Sequence, residues 1–137
     1  MKTHSTTMTL FAALFTLAGA ANAARPSPDE QLAKAIEGRT AGEPVKCIPL
    51  RNIRSTQVID RTAIVYGGHG RTIYVNRPTS GAAFLRDDMI LVTDTRSSEL
   101  CNIDIVKLMD PGSKMISGSV GLGDFVPYVK PAKPGED

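Results

Sequence analysis

Hydrophobic and polar residues are patterned most regularly across residues 55–76, STQVIDRTAIVYGGHGRTIYVN. Residues 57–59 and 63–66 are rich in Val and Ile with Thr and Tyr beside them, side chains that suit a pleated surface. Asp60 and Arg61 between them form a short turn, where Asp can bond its own backbone. Three glycines around His69, at Gly67, Gly68 and Gly70, lift the Cβ penalty on the positive φ that a hairpin reversal needs. Residues 71–76 then alternate, with Arg71, Ile73 and Val75 on one face and Thr72, Tyr74 and Asn76 on the other. The pattern predicts three consecutive strands at the centre of the chain.

Pro78 ends this meander, and residues 79–85 (TSGAAFL) read as a turn or a single helical turn. Residues 89–93 (MILVT) have a buried-strand pattern, and residues 94–98 turn the chain. Residues 100–108 (LCNIDIVKL) read as one continuous strand, with Cys101, Ile103 and Ile105 on one face and Asn102 and Asp104 on the other. Asp110-Pro111-Gly112 is a turn, residues 114–120 are a weaker strand, and residues 121–125 close the domain. The fold class this implies is mainly β, a small antiparallel barrel or sandwich of about six short strands, with a barrel-like sheet favoured.

The flanks are patterned differently. Lys2, the apolar run at residues 8–18 and the small residues Ala21 and Ala23 have the form of an export signal over residues 1–23. The run is shorter than the ~20 apolar residues that span a bilayer, so no transmembrane anchor is expected after cleavage, and the predicted location is periplasmic or secreted. Residues 24–46 read as a linker holding one short N-terminal helix. Ser27-Pro28-Asp29-Glu30 forms a capping box with Pro at the first helical position, Leu32 and Ile36 share a face, and Gly38 stops the helix. A helix this short is marginal alone and is expected to fray rather than dock. Residues 129–137 are rich in Pro and charge and read as a disordered tail, which leaves 47–128 as the β-domain.

A domain of this size has a thin core. The two cysteines, Cys47 and Cys101, are the only pair, and in an exported chain a disulfide is the default reading. A redox-active thiol is the alternative, but there is no CxxC and nothing near Cys101 in sequence that would lower a thiol pKa.

Charge is uneven along the chain. Lys46, Arg51, Arg54, Arg61, Arg71 and Arg77 face only Asp60 in the central segment, while residues 87–110 carry six acids against Arg96 and Lys107. One reading is cross-strand pairing between the halves. The sharper one is a basic face of Arg51, Arg54, Arg71 and Arg77, with Tyr74 interleaved, that binds an anionic component of the cell envelope or an envelope protein. The formal charge of the whole chain is only +2, which argues against a general nucleic-acid binder.

Catalytic constellations are sparse. His69 is the one histidine beyond the export signal, among glycines on a hairpin tip, so a Ser-His or Cys-His pair has little to draw on. No cofactor is expected and no metal site, since zinc wants three or four ligands and the cysteines are taken as bonded. The alternative to a binding module is a small periplasmic hydrolase using acids such as Asp88, Asp104 and Asp124, or an enzyme inhibitor whose His69 loop inserts into a target.

Several short motifs carry a resemblance. They are Cys47-Ile48 with Ile53-Arg54-Ser55, the stretch Tyr74-Val75-Asn76-Arg77, Leu100-Cys101 with Asp104, and the closing Gly121-Leu122-Gly123-Asp124-Phe125-Val126-Pro127-Tyr128. Together they resemble a family of small exported proteins of Gram-negative bacteria, classified only as a domain of unknown function (DUF). The resemblance covers residues 47–128, and GLGDFVPY is its most specific part. It implies export, a compact domain and no assigned catalytic residue. Family members often carry two further cysteines, before Phe84-Leu85 and at the position of Val120. Both are absent here, which implies that Cys47 is left to pair with Cys101.

Overall fold

The structure is a computed structural model that describes residues 24–135. The export-signal pattern at residues 1–23 and the last two residues lie outside it. One helix, α1 (Pro28–Ile36), precedes ten strands: β1 (Thr40–Ala41), β2 (Cys47–Pro49), β3 (Ser55–Ile59), β4 (Ala63–Gly67), β5 (Thr72–Asn76), β6 (Ile90–Thr93), β7 (Glu99–Cys101), β8 (Ile105–Met109), β9 (Ile116–Gly121) and β10 (Phe125–Val129). They form a five-stranded sheet in the order β1-β10-β5-β4-β3, a three-stranded sheet β6-β8-β9, and the pair β2-β7. Every pairing is antiparallel.

The mainly β class expected from the pattern is present, as a sandwich. No sheet closes on itself, so the barrel-like sheet favoured above is not the arrangement found. The central meander is β3, β4 and β5, and its alternation sorts side chains to both faces of the large sheet. One face turns Val58, Ile64 and Tyr66 inward against Leu108, Val120, Leu122 and Phe125, where the main core lies. The other face turns Ile59, Ala63, Val65 and Val75 outward, and Leu32 of α1 covers them.

The helix therefore docks, contrary to the fraying expected from its length. Its capping box is formed as read: the Ser27 N–H donates to Glu30 Oε2 at 2.7 Å, and the Glu30 N–H to Ser27 Oγ at 3.3 Å. The Ser27 N–H foremost, and the Ser27 hydroxyl after it, hold the Glu30 carboxyl below its usual range. Docking is what stabilises so short a helix, since Leu32 is 5% exposed and packs with Ala35 and Ile36 on the sheet. Leu32→Ala is expected to cost about 2 kcal/mol in denaturant unfolding. A loss below about 0.5 kcal/mol would mean that the helix contributes little.

Strand boundaries differ from the expectation in three places. Residues 100–108 are not one strand. Cys101 O accepts from the Asp104 N–H at 3.0 Å, closing a turn that splits β7 from β8. The alternation resets there, so Ile103 and Ile105 point to solvent, and Val106 and Leu108 take the core side. The segment read as a linker also contains β1, which pairs with β10, and Val45, which bridges to Phe125. At the other end Val129 closes β10 and the Lys130 N–H donates to Arg71 O at 3.0 Å. Residues 79–85 contain the anticipated helical turn, a short 3-10 segment at Ala82–Phe84.

Tyr66 carries its hydroxyl into the main core, where the ring sits at 59° to Phe125 with centroids 5.8 Å apart. The buried hydroxyl makes no hydrogen bond to the described residues, and burial pushes the phenol well above its usual range.

Candidate functional site

Strand order decides which of the predicted basic residues meet. Arg54 immediately precedes β3 and Arg71 immediately precedes β5, and the β4–β5 hairpin loop with His69 lies between their strands at the same end of the sheet. Arg54 donates from Nε to His69 Nε2 at 2.8 Å, which places the ring proton on Nδ1. Gly70, at φ 67°, makes the hairpin reversal; of the three loop glycines it alone uses the left-handed conformation. Arg51 sits in the short 3-10 turn Leu50–Asn52 that leads into Arg54. Tyr74 is half-buried against the main core.

Two further cations join this end that the sequence reading passed over. Arg39 precedes β1, and its Nη1 donates to Arg71 O at 2.5 Å. Lys130 follows β10 and reaches the same carbonyl through its backbone N–H. The result is a basic rim of Arg39, Arg51, Arg54, Arg71 and Lys130 around His69, all of them exposed apart from the half-buried Arg39. Among the described residues the ion pairs are Arg25–Asp87, Arg86–Asp88 and Arg86–Asp110, and none uses a rim residue. Nor does any of them join the basic central segment to the acids, as cross-strand pairing would require.

Arg77 departs from this group. It follows β5, six residues beyond Arg71, so the two lie roughly 20 Å apart at opposite ends of one strand. There it lines a cleft of about 420 Å³ with Val75, Asn102, Asp124, Val126 and Tyr128 among its walls.

The residues of the family-like motif have identifiable structural work. Asn76 is fully buried, and its side-chain amide makes two bonds to Gly123: Nδ2 donates to the carbonyl at 2.6 Å and Oδ1 accepts from the N–H at 3.0 Å. A Cβ on Gly123 would strike the Arg77 carbonyl, so only glycine fits this approach. Gly121 pairs with Ile105 and bridges to Ser80. Phe125 is the largest fully buried side chain. Pro127 and Tyr128 are carried by β10 opposite Tyr74 and Ile73.

Asp104 accepts from the Cys101 N–H at 2.7 Å and so caps the β7–β8 turn. Asp124 Oδ1 accepts from Asn102 Nδ2 at 2.6 Å, tying the β9–β10 loop to that turn. Asp88 is held by Arg86, whose hydrogen bond keeps its carboxyl below the usual range. Asp110, held low mainly by the Ser113 N–H, anchors the β8–β9 turn.

Cys47 and Cys101 form the expected disulfide, directly opposite each other in the β2–β7 pair. The Asn102 N–H donates to Lys46 O at 2.8 Å on the neighbouring pair, so the cysteines occupy a non-hydrogen-bonded position, where cross-strand side chains lie closest. Glu99 approaches both sulfurs, but the sulfurs are committed to each other, so the trio makes no metal site. Among the described residues no helix is long and apolar enough to cross a membrane.

Fold and site together define a disulfide-bonded antiparallel β-sandwich with one docked helix, a basic rim at one end of the large sheet and a cleft at the other. No family model, curated protein or solved structure matches the chain.

Proposed function

We propose that this protein is a non-catalytic binding domain of the cell envelope, periplasmic or secreted, that holds an anionic partner against the basic rim. The observation that carries this reading is the convergence of Arg39, Arg51, Arg54, Arg71 and Lys130 on one sheet end with no acid among the described residues paired to them. Like charges gathered without counter-ions raise the local potential and draw anions to that surface. Arginine adds geometry, because its fork engages two oxygens of a phosphate or carboxylate. Arg54 is partly pre-positioned by His69, which lowers the entropy lost on binding. The export-signal pattern, the resemblance to exported proteins and a disulfide suited to an oxidising compartment support the location.

The test is a binding panel of lipopolysaccharide, peptidoglycan fragments, acidic polysaccharides and inorganic phosphate, each at low and high salt. Arg54→Ala combined with Arg71→Ala is expected to weaken binding about tenfold at low salt, with the difference fading as screening shortens. Both side chains are exposed, so the variant should keep the wild-type melting temperature. Wild-type affinity in the double variant at low salt would overturn the assignment to the rim.

A further inference from the structure

The cleft at the far end of the large sheet is built from two strands and three connecting segments. Val75 and Val126 are cross-strand partners on β5 and β10, and they furnish an apolar floor on the face that α1 covers elsewhere. Arg77 comes from the end of β5, Asp124 from the β9–β10 loop and Asn102 from the β7–β8 turn. The volume, about 420 Å³, falls in the range of small-molecule sites.

Charge distinguishes this cleft from a surface dimple. Arg77 and Asp124 line the same space, yet they form no ion pair with each other or with any other described residue. Asn102 engages only Oδ1 of Asp124, so Oδ2 keeps its acceptor capacity. The walls holding these two charges are firmly placed. The Asn76 amide clamps Gly123, next to Asp124, and the Gly123 backbone lies against the Arg77 carbonyl. A cation and an anion are thus presented across an apolar floor by backbone that is fixed from beneath.

We infer that this cleft binds a small zwitterion of the α-amino-acid class, its carboxylate on Arg77, its ammonium on Asp124 and its hydrocarbon side chain over Val75 and Val126. A planar guanidinium suits the carboxylate, and a carboxylate with a free oxygen suits the ammonium. A ligand with only one of these charges would leave the opposite wall unanswered. The inference is independent of the rim, which lies a strand length away.

Titration calorimetry with L-leucine and L-valine, at up to millimolar concentration, tests it. The comparison ligands are 4-methylpentanoate, which lacks the ammonium, and isoamylamine, which lacks the carboxylate. Both amino acids are expected to bind, and each single-charge analogue to bind at least about tenfold more weakly, as loss of a charged hydrogen bond implies. Arg77→Gln should weaken leucine binding by a similar factor at an unchanged melting temperature. Asp124→Asn should do the same, and its amide can still serve the Asn102 contact, so failure to fold is not the expected result. The Arg54→Ala, Arg71→Ala variant should bind leucine like the wild type, which separates this site from the anion-binding rim. No heat with either amino acid, or equal binding of an analogue and leucine, would overturn the proposal.

Discussion

Asn76→Ala is expected to destabilise the domain by about 3–4 kcal/mol, a large part of the 5–15 kcal/mol typical of a native fold. The substitution removes both bonds between the Asn76 amide and Gly123. It also leaves the N–H and the carbonyl of the buried Gly123 without these partners, and each unmade bond costs about 1–3 kcal/mol. Asn76→Asp offers a sharper control. It keeps an acceptor for the Gly123 N–H but sets a carboxylate against the Gly123 carbonyl in a fully buried place, so it should be at least as harmful. Urea unfolding with the disulfide intact is the measurement. A loss under about 1 kcal/mol in the alanine variant would show that the β9–β10 loop does not depend on this clamp.

The second large effect concerns the disulfide. Cys47 and Cys101 are 54 residues apart, and closing a loop of that size restricts the unfolded chain by about 4 kcal/mol in the entropy model. The β2–β7 pair is also short, three residues on each side, and hydrogen-bonds to no other strand. Replacing both cysteines by alanine is therefore expected to lower the melting temperature on the order of 10 °C. Changing both together avoids a lone reactive thiol. Differential scanning calorimetry of the double variant decides the matter: a fall of only a degree or two would mean that the sheets hold this edge without the covalent link.

The parts of the fold legible in the sequence are those with enough residues to show a period. β4 and β5 are five residues each, the first an apolar run and the second alternating, and they are joined by a glycine loop, so the chain folds there as it reads. β1, β2 and β7 have two or three residues, too few for any periodicity, so about six strands are legible where ten form. The break inside residues 100–108 was masked because Ile103 and Ile105 continue an apolar rhythm. The signal against it was Asn102 and Asp104, both turn formers, one of which caps that turn. β10 was obscured by Pro127, which argues against a strand flanked on both sides. It is tolerated because its backbone faces β1 near that strand's end, where the Pro127 carbonyl accepts from the Gly42 N–H and a missing donor costs little.

The site was half legible for a related reason. Arg51, Arg54 and Arg71 meet because two hairpins fold their positions to one end, whereas Arg77 is carried to the other end by the intervening strand. Arg39 and Lys130 lie in segments whose composition reads as a linker and a tail, and only the pairing of β1 with β10 brings them to the rim. Sequence proximity grouped the arginines by segment; the sheet groups them by strand end.

The position of the disulfide has a consequence for damage. Cys47 and Cys101 bracket β3 through β6, so the hairpin loop at His69 and the exposed turn at residues 94–98 both lie inside a covalent ring. A protease that nicks either loop once makes two fragments that remain tethered until the sulfur bond is reduced. For a cut at His69, Arg54 and Arg71 fall on different fragments, yet both stay attached to one body. The rim can thus outlast the integrity of the chain that carries it.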